Sequence, residues 1–133
     1  MVRLAEERRV NVHIESWDSR LYAFADGEIH YEPCVRAFEE IFDLAEDKKV
    51  STILFDGRRL TGDLSDLERI DLAVRATEYL RALEIHPAIA VVGEAPTFNG
   101  LSVLAAQSIG TDVQLFPELQ TAHEWLNNSP NLW

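Results

Sequence analysis

The sequence has little of several features that would define a class of function by themselves. It contains one cysteine, Cys34, in 133 residues, so no disulfide can form within the chain and a reducing compartment is expected. No apolar run approaches the roughly 20 residues that span a bilayer, and the first nine residues lack the apolar stretch of a secretory signal. We therefore expect a cytoplasmic protein without stable membrane association.

Positive charge is also scarce. Lysine and arginine total 12 against 23 aspartate and glutamate residues, which gives a formal net charge of −11 at pH 7. A field of this sign repels phosphate backbones, so we do not expect nucleic acid to be a partner.

The chain lacks the spacings that mark common catalytic and metal sites. The four histidines show no His-x-x-x-His pattern, the segment from Gly93 to Gly100 lacks the three-glycine dinucleotide spacing, and no serine has nucleophile-elbow context. The sequence therefore predicts no metal, no cofactor and no enzymatic activity. An enzyme would need Asp56 and Glu94, or a histidine, to converge in one cleft.

What the chain does contain is a single run of alternating strand and helix patterns, in the order ββαβαβαβα. We expect one domain over residues 1–133, with 1–9 as a charged lead-in and 127–133 as a loose tail. Helix-length crossovers make the later strands parallel, after an antiparallel first hairpin. Strands are predicted at 10–14, 21–25, 50–55, 88–92 and 113–116, and helices at 33–47, 65–84, 101–109 and 117–126.

The junction between the third strand and the second helix is the most informative stretch. An apolar run from Val50 ends at Asp56 and Gly57, crosses a polar loop, and enters a helix at Ser65. Ser65 and Glu68 have capping-box spacing, which predicts a helix start. The apolar spacing predicts this buried face for the helix: Leu67, Ile70, Val74, Thr77 and Leu80.

Five segments together resemble the SpoIIAA-like domains of the STAS/SEC14-like group. They are Ile53-Leu-Phe-Asp-Gly57, Leu60-Thr-Gly62, Ile89-Ala-Val-Val-Gly93, Val113-Gln-Leu-Phe116 and Ala122-His-Glu-Trp-Leu126. The resemblance covers roughly residues 10–127 by element order. It implies a right-handed β/α superhelix, a mostly parallel sheet with an antiparallel N-terminal strand, and a non-catalytic role.

The same resemblance implies a switch that this chain carries in altered form. Anti-sigma-factor antagonists of this fold bind a partner kinase and are switched by phosphorylation of a serine that follows an aspartate at the start of the second helix. Here the stretch reads Asp63-Leu64-Ser65-Asp66, so Leu64 stands in the switch position and the chain resembles a divergent relative. Ser65 and Thr61 are the alternative phosphorylation candidates, although Ser65 is also explained as a helix cap.

The candidate partner-binding residues lie at the ends of the third and fourth strands, where α/β sites gather. An alternative interpretation of this stretch is a simple Asp-Gly turn followed by two solvated arginines. The candidates are Asp56, Gly57, Arg58, Arg59, Thr61 and Glu94.

The leading hypothesis is a non-enzymatic regulatory or protein-interaction domain. The second is a carrier of a small apolar, lipid-like ligand, which would need a pocket of roughly 300 Å³ or more. A small enzyme of unknown reaction is third. The identity of a protein partner and the formation of a homodimer stay open.

Overall fold

The computed structural model describes residues 10–128 as one five-stranded sheet with four helices, and the predicted order ββαβαβαβα is confirmed. The predicted lead-in (1–9) and the end of the predicted tail (129–133) lie outside the described residues. The elements are β1 Asn11–Trp17, β2 Arg20–Glu28, α1 Tyr31–Lys48, β3 Thr52–Thr61, α2 Asp66–Leu83, β4 Ala88–Val92, α3 Leu101–Ser108, β5 Val113–Phe116 and α4 Leu119–Asn127.

The strands lie side by side in chain order, β1-β2-β3-β4-β5. β1 pairs antiparallel with β2 and all later pairs are parallel, which confirms the predicted mixed sheet. Asp18 and Ser19 make the two-residue turn of the hairpin with φ of 53° and 61°. Two positive φ values suit the right-handed twist of the strands that such a turn joins.

The helices cover the two faces of the sheet unequally. The larger core lies between the sheet and the layer of α1, α2 and α3, and includes Ile41, Phe55 and Leu72. The smaller core lies under α4, which packs on β3, β4 and β5 and buries Leu54 and Leu126. The strand period of two thus places neighbours such as Leu54 and Phe55 in different cores.

β3 is longer than the sequence predicts. We expected a loop after Asp56, but the strand continues to Thr61 because β2 offers pairing partners that far. The register passes from Phe24 opposite Asp56 to Asp26 opposite Arg59, so two steps along β2 match three along β3. A β-bulge absorbs the extra residue and re-aims the side chains that follow it.

The predicted capping box at the start of α2 is present. The Ser65 Oγ accepts a hydrogen bond from the Glu68 backbone N–H at 3.1 Å, and the Glu68 carboxylate accepts one from the Ser65 N–H at 3.0 Å. Two N–H groups that would otherwise lack a helical partner are therefore satisfied by side chains.

The predicted buried face of α2 is partly wrong. Thr77 and Leu80 are buried as expected, whereas Leu67 and Ile70 are 72% and 44% exposed. The residues that α2 buries are Arg69, Leu72, Ala73, Thr77 and Leu80. The helix is turned so that Arg69 faces inward.

Replacing Ser65 tests the contribution of the cap. We expect Ser65→Ala to lower the free energy of unfolding by about 1 kcal/mol, because the Glu68 N–H loses its acceptor. Ser65→Asp, which restores a capping oxygen, should keep most of the stability. Urea unfolding followed by circular dichroism measures both, and equal stability of Ser65→Ala and wild type would contradict the role.

Candidate protein-binding surface

Asp56 and Arg58 form a bidentate ion pair on β3. The Arg58 Nε donates to Oδ1 at 2.9 Å and its terminal nitrogen donates to Oδ2 at 2.8 Å, while the Arg58 backbone N–H adds a third bond to Oδ1 at 3.1 Å. Both residues lie in the stretch where the β-bulge interrupts the regular pairing of β3 with β2. The pair fixes the Arg58 side chain along the end of the sheet.

The same pair sets the charge of the Asp56 carboxyl. Burial alone would raise its pKa, but the hydrogen bonds from Arg58, together with the charges of Arg58 and Arg59, bring the pKa below its usual value. The carboxylate is therefore ionised at neutral pH with its oxygens engaged. Such a group is a poor general acid or base, since those roles need a pKa near the working pH.

The ring of Phe98 fills the carboxyl end of β3 and β4. A Cβ on Gly57 would lie 2.6 Å from the Phe98 Cζ, and one on Gly93 would lie 2.2 Å from its Cδ2. Only glycine fits at either place, since both distances are far inside van der Waals contact. Open α/β sheets usually bind ligands at such an edge, whereas this chain closes the position with its own side chain.

Arg69 ties the loop after β4 to the start of α2. Its guanidinium donates to three carbonyl oxygens, those of Leu64 at 3.0 Å, Thr97 at 2.8 Å and Pro96 at 3.1 Å. Thr97 strengthens the link, because its hydroxyl donates to the Gly62 carbonyl at 2.6 Å. The two loops at the carboxyl edge are therefore held together by buried polar contacts.

Arg69 is only 4% exposed, and within residues 10–128 no carboxylate lies within ion-pair distance of it. Carbonyl dipoles alone stabilise the buried charge. The sequence interpretation missed this residue. The available signal was an arginine at position 69 in line with Leu72, Ala73 and Leu80 at helical spacing.

An apolar cavity of about 90 Å³ lies between the sheet and the helices α1 to α3, bordered by Phe38, Phe55, Leu72 and Phe98. The carrier hypothesis needs roughly 300 Å³ or more. The observed volume accommodates no lipid-like chain, so the packing of this core removes the feature on which that hypothesis depends.

The predicted partner-binding residues divide into two groups. Asp56 and Gly57 are buried, the first against Arg58 and the second under Phe98, so both support the surface from within. The other four are exposed, and we call them the carboxyl-edge surface: Arg58, Arg59, Thr61 and Glu94. Their contact with a partner stays a prediction.

The residues around the expected switch position are also placed. Leu64 is 8% exposed and belongs to the larger core, so the switch position holds a buried apolar side chain. Ser65 is exposed, and its hydroxyl is engaged in the cap. Thr61 is exposed at the end of β3. Phosphorylation at Ser65 or Thr61 stays a prediction.

The described part of the chain shows neither a candidate metal site nor a candidate membrane-spanning helix. Residues 10–128 contain no group of three or more histidine, cysteine, aspartate or glutamate side chains arranged to hold a metal ion. Within the same range, no helix has the length and apolar character needed to cross a membrane.

A double-mutant cycle tests whether the Phe98 ring fills the space beside Gly93. We expect Gly93→Ala to cost about 1–3 kcal/mol, because the added methyl overlaps the Phe98 ring. In a Phe98→Ala background the same change should cost less than about 1 kcal/mol, because the obstacle is gone. Urea unfolding of wild type, the two single variants and the double variant measures the interaction energy between positions 93 and 98. An equal cost of Gly93→Ala in both backgrounds would show that the Phe98 ring does not fill the space beside Gly93.

The Asp56 pair predicts a pH dependence of stability. A carboxyl whose folded pKa is lowered stabilises the protein above its unfolded pKa, and this contribution is lost as the pH falls through the folded value. The gap in unfolding free energy between wild type and Asp56→Asn should be largest near neutral pH and shrink below about pH 4. If the difference in unfolding free energy between the two proteins were the same near neutral pH and below about pH 4, the ionised Asp56 carboxylate would not be the source of the stabilisation.

Comparison with known proteins shows which solved structures have a fold similar to that of this chain. No family model matches the chain, and no curated protein is similar to it in sequence. An anti-sigma factor antagonist from Mycobacterium paratuberculosis superposes with a TM-score of 0.60 at 15% identity, over 91% of this chain and 97% of that one. The anti-sigma factor antagonist SpoIIAA, in its unphosphorylated form, has a TM-score of 0.53 at 14% identity, over 90% and 100% of the two chains.

A third solved structure is an uncharacterised protein of the DUF3478 family from Shewanella loihica, described as having a SpoIIAA-like fold. Its TM-score is 0.50 at 18% identity, over 89% of this chain and 94% of that one. Identities this low relate the folds rather than the functions. The chain therefore has the SpoIIAA-like fold that its sequence resemblance implied.

Proposed function

We propose that this chain is a non-enzymatic regulatory domain that acts by binding another protein through its carboxyl-edge surface. One observation carries the proposal: the ligand position of an open α/β sheet is occupied by Phe98, packed on Gly57 and Gly93. With the Phe98 ring in that position, the space between the ends of β3 and β4 is filled and the edge presents a closed surface there. A surface of this kind suits recognition of a protein better than enclosure of a small molecule.

The rigidity of the edge supports the same function. Arg69 and Thr97 hold the loop after β4 against the β3–α2 junction, and the Asp56 pair holds Arg58. Binding by ordered loops avoids part of the entropy cost of association. The exposed residues on this frame include both charge signs, in Arg59 and Glu94, and so offer specific contacts.

The fold likeness favours a class of partner. Two of the similar structures are anti-sigma factor antagonists. A fold often hosts several functions, so the likeness alone does not decide the partner. Together with the closed edge, it makes a protein of the anti-sigma factor class the partner that we propose.

Capture from a lysate of the source organism tests the binding surface. We expect the charge exchange Arg59→Glu/Glu94→Lys to reduce recovery of the bound protein at least about tenfold, because it inverts the surface charges without changing the net charge. Lys49→Glu/Glu84→Lys is the matched control. Both residues are exposed C-caps, at the ends of α1 and α2 that lie away from the carboxyl edge.

Mass spectrometry of the captured protein gives the readout, and circular dichroism verifies that the variants are folded. Loss in the carboxyl-edge variant with retention in the control supports the proposal. Equal recovery by wild type and both variants would overturn the assignment of this surface.

A further inference from the structure

We infer that the outer side of α2 and α3 is a docking face for a basic amphipathic helix of the protein partner, an inference that rests on the proposed function. Among the side chains that the structure describes, four large apolar ones are exposed, and three lie on these two helices. They are Leu67 and Ile70 on α2 and Leu104 on α3, at 72%, 44% and 63% exposure, and we call them the Leu67 face.

Helix geometry places these residues on one side of the pair. Ile70 lies seven residues before Thr77, so the two share a side of α2. The Thr77 hydroxyl is 2.6 Å from that of Thr111, in the loop between α3 and β5, so this side of α2 faces the end of α3. Leu67 is one turn earlier on the same side.

Leu104 completes the face from the neighbouring helix. It lies two positions from Ala106, which is buried in the larger core, so it points away from the sheet. α2 and α3 pack against each other. The apolar side chains therefore lie on the outer surface of a packed helix pair.

Within residues 10–128, none of the three arginines of α2 pairs with a carboxylate at the start of that helix, and the exposed Arg81 lies in its last turn. Arg69 is buried against carbonyl oxygens, and Arg75 turns toward α1, where it pairs with Glu32 and lies over the Tyr31 ring. Arg81 donates to the Ile109 carbonyl at the end of α3. Each guanidinium is thus engaged within the molecule.

Negative charge next to the Leu67 face is uncompensated. Asp63 and Asp66 precede and follow the Ser65 cap, both are exposed, and neither takes part in an ion pair within residues 10–128. Glu94 begins the loop that Arg69 holds against this end of α2, and it is exposed as well. An apolar stripe beside free carboxylates complements a partner with apolar and cationic side chains.

The charges also argue against other occupants. A second copy of the chain, docked by a two-fold axis on the same face, would bring the carboxylates of both copies together. An anionic membrane surface would meet the same repulsion. The occupant that complements these apolar and acidic side chains is a helix with Leu or Ile at i, i+3, i+4 and i+7 and with Lys or Arg at its flanks.

A designed peptide tests the chemistry directly. The probe is a fluorescein-labelled helical peptide of about five turns, with leucine on one face and lysine on the other. We expect wild type to bind it and the Leu67→Ser/Ile70→Ser variant to bind at least about tenfold more weakly in fluorescence anisotropy. Phe24→Ser is the matched control, because Phe24 is an exposed apolar residue on β2 and should leave affinity unchanged.

A second peptide, with glutamate in place of lysine, tests the charge argument and should bind at least about tenfold more weakly than the first. Equal binding of the lysine peptide by wild type and Leu67→Ser/Ile70→Ser, or of both peptides by wild type, would overturn the inference. Circular dichroism verifies folding, and chemical-shift changes confined to α2 and α3 would locate the contact independently.

The capture experiment separates this inference from the proposed function. If Leu67→Ser/Ile70→Ser still recovers the partner while Arg59→Glu alone does not, the docking helix is refuted and the carboxyl-edge surface stands. If Leu67→Ser/Ile70→Ser loses the partner and Arg59→Glu keeps it, the Leu67 face is supported and the carboxyl-edge assignment fails. Arg59→Glu is used alone here because Glu94 also contributes negative charge beside the Leu67 face.

Discussion

The structure depends most on the three hydrogen bonds from Arg69 to the carbonyl oxygens of Leu64, Pro96 and Thr97. A buried guanidinium is costly unless its donors are satisfied. Here the donors meet backbone acceptors in two loops that join different elements. The three hydrogen bonds offset the cost of burying the charge and also order the carboxyl edge, where the Phe98 ring packs on Gly57 and Gly93.

Turning Arg69 inward also determines what α2 shows to solvent. On a helix, a residue at position 69 shares its side with 72, 73, 76 and 80, and these are the positions that the larger core covers wholly or in part. Leu67 and Ile70 fall outside that side and stay exposed. The closed edge and the apolar helix face therefore have one physical origin, and a single helix rotation positions both next to the same junction.

The sequence predicts what depends on local patterns. Strand and helix order follows from periodicity and the start of α2 from Ser65 and Glu68, and the structure has both. Each of these features is decided by residues within a few positions of one another. This explains why they could be predicted without knowledge of the tertiary contacts.

The features that were missed depend on contacts distant in sequence. Arg69 binds carbonyls 27 and 28 residues away, so its inward side could not be inferred from the apolar spacing of α2. The extension of β3 needed the length of β2 and a bulge. The candidate residues at the end of β3 do lie at the carboxyl edge of the sheet. The burial of Asp56 and Gly57, however, depends on their contacts with Arg58 and Phe98, which the sequence pattern does not reveal.

Leu64 connects these observations to regulation. The sequence resemblance implied a phosphorylated serine at this position, whereas here an 8% exposed leucine anchors the junction in the core. Its carbonyl is also one of the three that hold Arg69. Leucine has no hydroxyl to phosphorylate, so a phosphorylation switch in this chain would have to use an exposed hydroxyl such as that of Thr61 or Ser65, which stays a prediction.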